Sequence, residues 1–167
     1  MKFRKSGIKD ISNIIKIINQ AQEYFKLQGI DQWQNGYPNQ ETIENDIKND
    51  ESYVLEKGGD VIATTMISFN GESTYNSIQG NWISNNDKYA TIHRLAVDNS
   101  YKGNGISSKI IKHIETYCLN KGIKSIRVDT HEDNISMQRL LEKNNFKYCG
   151  VIYLEDNSKR IAFEKLI

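Results

Sequence analysis

Tyr101-Lys102-Gly103-Asn104-Gly105-Ile106-Ser107-Ser108 joins a strand-like run ending at Val97 to a helical run that begins near Ile106. A glycine loop that opens a helix can hold phosphate. The first helical turn has N–H groups without an intrahelical acceptor and a partial positive charge, and glycines let the main chain approach an anion closely. The three histidines carry the side chain whose ordinary pKa lies nearest neutrality. His93 lies in the strand-like run and alternates in phase with Leu95 and Val97, whereas His131 ends a second such run, Asp129-Thr130-His131-Glu132-Asp133. His113 reads as a surface position of the helix after the loop. Cys118 and Cys149 sit far apart in periodic segments, without C-x-x-C or mixed Cys/His spacing, so they read as buried thiols and no metal site is expected.

The surrounding pattern supplies the elements that must position these groups. Phe3 to Lys5 reads as a first strand, and Ile8, Ile11, Ile14, Ile15, Ile18, Ala21 and Phe25 recur at helical spacing, predicting one long amphipathic helix. The stretch from Ile30 to Asn39 is a loop with Trp33 and Tyr37, followed by a helix near Glu41 to Lys48. Tyr53 to Glu56 and Val61 to Phe69 flank the turn Lys57-Gly58-Gly59-Asp60 and predict a hairpin. Residues 70 to 86 form a polar connection that carries Tyr75 and Trp82 and is expected to be the most mobile part. A strand follows from about Tyr89 to Val97. Ile106, Ile110, Ile114 and Tyr117 share one face of the helix after the loop, which stops at Lys121-Gly122. Ile126 to Thr130 is the next strand, Asp133 or Asn134 caps a helix with Met137, Leu140 and Leu141, and two strands close the chain, about Phe146 to Leu154 and Arg160 to Leu166. This order mixes antiparallel hairpins with one strand-helix-strand crossover, so the class is α+β with a mixed sheet.

The 167 residues fit one domain with its own core. The formal net charge of +1 comes from interspersed Lys, Arg, Asp and Glu, so no basic face for nucleic acid is implied. No apolar run approaches the roughly 20 residues of a membrane span, and the N-terminus has no signal-peptide core, so a cytoplasmic protein is expected. Abundant Ile, Lys and Asn with a single Pro suggest an AT-rich bacterial genome.

Ile92-His93-Arg94-Leu95-Ala96-Val97-Asp98 followed by Tyr101-Lys102-Gly103-Asn104-Gly105-Ile106-Ser107 resembles the acetyl-CoA binding motif of the GNAT acetyltransferase superfamily. In that pattern Lys102 stands at the Gln or Arg position, Gly105 at the first Gly and Ser107 at the second small residue. Downstream, Asn134, Met137, Leu140, Glu142, Lys143, Asn144, Asn145 and Phe146 resemble the second signature, N-x-x-A-x-x-L-Y-E-K-x-G-F. The resemblance spans the whole element order. It implies a single N-acetyltransferase domain over residues 1–167, with a mostly antiparallel sheet and a splayed parallel strand pair at the acetyl-CoA site. By it, backbone N–H groups from Gly103 to Ser108, with Asn104 and Ile106 among them, cradle the CoA pyrophosphate, and Lys102 adds a point charge without the fork of an Arg. The arm of the cofactor hydrogen-bonds along Leu95, Ala96 and Val97, the Val97 N–H stabilises the oxyanion, and Asn134 and Lys143 assist, with a plain helix cap as the other reading of Asn134.

An ammonium acceptor must lose a proton before it attacks a thioester. The resemblance makes His93 the leading base, because arylalkylamine members carry a histidine in a similar place, and Thr91 stands where histone-type members place a Glu. His131 is a second candidate, and Glu72 or Glu155 could act through water. Leu141 occupies the position of the Tyr that protonates the departing thiolate, so Tyr148, Tyr153 or a water would have to substitute. Trp33, Tyr37, Tyr75 and Trp82 are expected either to wall the acceptor site or to pack beneath long loops. The implied function is acetyl-CoA-dependent N-acetylation of a small primary amine within a ternary complex. The alternatives are a peptide or protein N-terminal acetyltransferase and a non-catalytic acyl-CoA binding module. The closing strands offer an edge on which a homodimer could form, and a monomer is equally compatible.

Overall fold

Apolar runs of period two and period 3.6 become eight strands and four α-helices among residues 1–85 and 88–167, the part of the chain described by the computed structural model. In chain order these are β1 (Lys2–Lys5), α1 (Ile11–Leu27), α2 (Gln40–Lys48), β2 (Ser52–Lys57), β3 (Asp60–Ser68), β4 (Gln79–Gly80), β5 (Ala90–Val97), α3 (Ile106–Asn120), β6 (Ser125–His131), α4 (Ile135–Lys143), β7 (Lys147–Tyr153) and β8 (Lys159–Leu166). The class is α+β. Residues 1–67 with 93–113 form one compact unit, and residues 68–92 with 114–167 form another. The chain passes from the second to the first in mid-strand, between Ile92 and His93.

In the first unit, β1 and β3 flank β2 in antiparallel pairing, with Lys5 opposite Tyr53 and Val54 opposite Thr64. Ile14, Ile17 and Ile18 of α1 bury against Ile43, Val54 and Ala96. The helical pattern begins later than the apolar spacing predicts. Ile8 is 82% exposed in a 3₁₀ turn, Ile8–Asp10, because the Asp10 carboxylate accepts the Gly7 N–H at 2.9 Å and both ends of the Arg4 fork at 2.7 and 2.9 Å. Those bonds fix a tight entry turn before the first regular turn of α1.

In the second unit, β5 runs parallel to β6, with Ala90 opposite Ile126 and Thr91 opposite Arg127. β8 lies antiparallel to both β6 and β7, and β4 pairs with β7. Gly80 and Gly150 face each other there. A Cβ on Gly80 would collide with the Cys149 carbonyl oxygen, and one on Gly150 with that of Gln79, so this edge needs two glycines. The polar connection after β3 holds more structure than its composition suggests, namely a 3₁₀ helix, Ser73–Ser77, and β4. Its predicted last residue, Asn86, lies outside the described residues. Tyr75, Tyr89, Ile152 and Ala162 form a core with Trp82 and Ile78 packed on it. Both cysteines are buried free thiols, and burial pushes Cys118 up to about 12. No helix among the described residues is long and apolar enough to cross a membrane.

Candidate functional site

In the first unit the strand that carries His93 is broken by its next residue. Arg94 has φ of 52°, a left-handed backbone inside β5. Such a residue shifts the alternation of side chains, so the period-two argument placing His93 in phase with Leu95 and Val97 does not carry across it. The strain is held by the side chain. Arg94 Nε and Nη2 donate to the Asp46 carboxylate at 2.9 and 2.7 Å, and Nη1 donates to the Tyr37 hydroxyl. All three guanidinium nitrogens are engaged. Asp46 is itself buried on α2, and burial pushes its carboxyl above the ordinary 3.8 although Arg94 pulls it down. His93 is half-buried, and its carbonyl accepts the Thr65 hydroxyl at 3.3 Å.

Ala96 and Val97 are buried beyond this kink, and Leu95 is half-buried. The loop that follows is tied to α1. Asp98 accepts from Ser100 N–H at 2.9 Å and pairs with Lys16 at 3.1 Å, while the Asn99 N–H donates to Gln20 Oε1 at 2.8 Å. Burial works against the Asp98 charge, but these donors outweigh it and hold the carboxyl below 3.8. The Lys102 ammonium lies 5.1 Å from the Tyr24 ring centroid, and burial lowers its pKa. Lys102 and Asn99 also line a cavity of about 710 Å³ with the polar face of α1. Gly103 and Gly105 have φ of 79° and 69°, and a Cβ on either would meet nothing within 4 Å. The need for glycine there is therefore conformational, and the space above the loop is open. Asn104 closes the turn through its amide to the Tyr101 and Lys102 carbonyls at 3.3 and 3.2 Å. Ile106, Ser107 and Ser108 form the first turn of α3, where the N–H groups point out of the helix end. Open space, left-handed glycines and a helix start fit a phosphate-bearing cofactor such as acetyl-CoA.

The two aromatics after α1 take different roles. Trp33 packs edge-on against Phe25 at 5.5 Å on the margin of the α1 core. Tyr37 is 46% exposed and carries the Arg94 contact.

In the second unit Asn134 is the N-cap of α4, its Oδ1 accepting the Met137 N–H at 3.1 Å. Lys143 is exposed in the last turn of that helix, and Leu141 is fully buried. Asn145 takes φ of 65° beyond the helix end, a left-handed C-terminal position that explains why Asn can replace Gly in the signature. His131 Nδ1 accepts the Asp133 N–H at 3.1 Å, so that nitrogen is committed to a turn. Tyr148 is 61% exposed and packs its ring edge-on to Phe163.

Tyr75 and Trp82 do come together, as part of a built pocket. The Tyr75 hydroxyl donates to Asp129 Oδ1 at 2.7 Å, and Trp82 Nε1 donates to the Tyr75 carbonyl at 3.0 Å. The Arg127 guanidinium lies over the Trp82 and Tyr89 rings, 4.3 and 4.1 Å from their centroids. Below it, the fully buried Glu164 accepts from Ile83 N–H, Ser84 N–H, Ser84 Oγ, Ser125 Oγ and, at 3.3 Å, Arg127 Nε. Tyr75, Trp82, Ser84, Tyr89 and Arg127 border a cavity of about 760 Å³. Sequence reasoning missed Arg94, Asp46, Arg127 and Glu164. Arg94 and Asp46 are 48 residues apart and Arg127 and Glu164 are 37 apart, and no local spacing marks them.

The sequence profile of the Acetyltransferase (GNAT) family matches residues 16–146. An S-alkylcysteine N-acetyltransferase of Bacillus subtilis (strain 168) is 27% identical over 123 residues, covering 74% of this chain and 64% of that protein, so the chain matches just under two thirds of that relative. A GNAT-family acetyltransferase from Streptococcus agalactiae 2603 superposes with a TM-score of 0.90 at 30% identity, over 99% of this chain and 95% of the other. One from Listeria monocytogenes 4b F2365 has the same fold, with a TM-score of 0.77 at 19% identity over 99% and 94% of the two chains. Family profile and fold agree over most of the sequence, and the chain belongs to the GNAT acetyltransferase family.

Proposed function

We propose that the protein is an acetyl-CoA-dependent N-acetyltransferase that acetylates a primary amine of a small molecule by direct attack in a ternary complex. The observation that carries this reading is the left-handed Arg94 inside β5, followed within one short loop by open, left-handed glycines at the start of α3. The cofactor supplies an activated acyl group. The N–H groups from Gly103 to Ser108 hold its phosphates, Lys102 adds charge, and the main chain of Leu95 to Val97 binds its arm. The Val97 N–H stabilises developing negative charge on the acyl oxygen, an effect of about 3 kcal/mol in comparable sites.

His93 takes the proton from the acceptor amine. Its half-buried position on the kinked strand supports it. Leu141 offers no acid, and a thiolate leaves without one at a cost of roughly 10² in rate. The name of the Bacillus relative denotes a small amine acceptor, which favours a small molecule over a peptide. A second reading, a non-catalytic acyl-CoA binding module, draws on the buried Leu141.

A CoA-thiol release assay across polyamines, aminoglycosides, arylalkylamines, amino acids and short peptides separates the two. Release is expected only when acetyl-CoA and a small primary amine are both present. Acetyl-CoA binding without release for any acceptor would establish the binding module instead. His93→Gln is expected to lose kcat most steeply near neutral pH, and an unchanged profile removes His93 from the mechanism.

A further inference from the structure

Arg127 is a buried cation with one nitrogen to spare. Its guanidinium lies over the Trp82 and Tyr89 rings. Nε is given to Glu164 and Nη2 to the Ser84 carbonyl at 3.0 Å. Among the described residues, Nη1 has no hydrogen-bond partner. Because Arg127 borders the 760 Å³ cavity, its remaining edge is the one available to a ligand.

Arg127 also commits fewer of its donors to its carboxylate than Arg94 does. Its contact to Glu164 is single and long at 3.3 Å, and Glu164 takes four further donors from Ile83, Ser84 and Ser125. Beside it sits an anomaly. Thr91 is 1% exposed, and its hydroxyl has no partner among the described residues. Thr91 is registered opposite Arg127 across the parallel pair, so the two share a face of the sheet. Thr91 also lies two residues beyond Tyr89, which borders the cavity. Thr130 carries a second such hydroxyl, and of the two only Thr91 is registered opposite Arg127, where a ligand oxygen would satisfy it. The same cavity is bordered by Glu72, an acid suited to an ammonium group.

We infer that this pocket takes a small molecule bearing both a primary amine and a carboxylate, the carboxylate on Arg127 with Thr91 as its second contact. This rests on the acetyltransferase reading above for its consequence in turnover, but the recognition itself is a binding property. A guanidinium fork is matched to a carboxylate in shape as well as charge, which gives selectivity over neutral analogues.

The test uses matched triplets of amino acid, amino-acid amide and decarboxylated amine across the common side chains. Both CoA release and calorimetric binding to the whole protein are measured. The acid of the preferred triplet should exceed its amide and amine in kcat/KM by about 10- to 100-fold. Thr91→Val, which keeps the shape, should raise the KM of the acid about 3- to 10-fold and leave the KM of acetyl-CoA unchanged. Arg127→Lys should compress the discrimination between acid and amide, with folding checked by thermal melting. Equal turnover of acid, amide and amine would overturn the carboxylate subsite while leaving acetyl transfer intact. Selective binding of the acid without CoA release would leave the subsite standing and overturn the acetyltransferase reading. No binding of any acid, together with no turnover of any acid, amide or amine, would overturn both. A Thr91→Val protein with unaltered KM removes that hydroxyl from the site.

Discussion

In each compact unit an arginine is set against a buried carboxylate, Arg94 against Asp46 in the first and Arg127 against Glu164 in the second, and these two pairs are built in opposite ways. Arg94 spends all three nitrogens, two on Asp46 and one on Tyr37, while Asp46 has burial working against its charge. Arg127 gives Glu164 a single long contact, while Glu164 collects donors from two main-chain N–H groups and two hydroxyls as well. In the first pair the cation is saturated and the acid is under-supplied. In the second the acid is saturated and the cation has an edge to spare. A buried ion pair is thus a poor guide to role until the donors on each side are counted, because a surplus on one partner decides which one stays available.

The largest effect expected from breaking this contrast is at Glu164. In Glu164→Gln the amide NH₂ would meet at least one of the donors now pointing at the carboxylate, and Arg127 would lose its counterion. A loss of about 3–5 kcal/mol in urea unfolding is expected. A cost below that of the Asp46 variant would reverse the assignment of the two pairs. Asp46→Asn should cost less, about 1–3 kcal/mol, since an amide oxygen still accepts from Arg94 and the burial cost of a charge disappears.

The pH dependence sharpens the same comparison, with opposite signs. Asp46 has its folded value raised above 3.8, so the folded protein holds the extra proton between 3.8 and that raised value. Its contribution to stability is present below 3.8 and is lost as pH rises through the raised value. Burial pushes Glu164 up, but the donors from Ser125 and Ser84 and the charge of Arg127 outweigh it and hold it below 4.5. Its contribution is present above 4.5 and is lost as pH falls through the lowered value. The stability gap between wild type and Glu164→Gln should therefore shrink on acidification. The gap for Asp46→Asn should not shrink, and parallel curves for the two variants would refute the distinction.

The smallest effect is expected at the backbone of Arg94. Arg94→Gly and Arg94→Ala both remove the pair, but only glycine takes φ of 52° without a Cβ penalty, so the glycine variant should be more stable by about 1 kcal/mol. Equal stabilities would mean that the left-handed turn follows from the side-chain clamp and is not required by the strand.

Much of the fold is legible because its signals are local. The isoleucines of α1, the glycine turn before β3, the Lys121-Gly122 stop and the Asn134 cap each act within a few residues. The loop from Tyr101 to Ser108 is legible for the same reason. What escaped detection is set by distance or by irregular backbone. The two-residue β4 has no period to read, and the kink at Arg94 looks like an ordinary strand position in a sequence. Arg127 and Glu164 are 37 residues apart, and only tertiary pairing joins them. Trp33 and Tyr75, read as either wall or packing, show the ambiguity of aromatics in loops. Trp33 lies on the margin of a core, and Tyr75 belongs to a core while also bordering the cavity.

Cys118 carries a consequence of a different kind. A thiol that is fully buried and raised to about 12 is chemically silent while α3 stays packed. It becomes reactive only in molecules where that helix has momentarily come loose, so the rate at which a thiol reagent marks it measures how often the packed state opens. The protein thus has an internal clock of its own breathing, which needs no engineered cysteine and reads the same helix whose first turn is proposed to hold the cofactor phosphates.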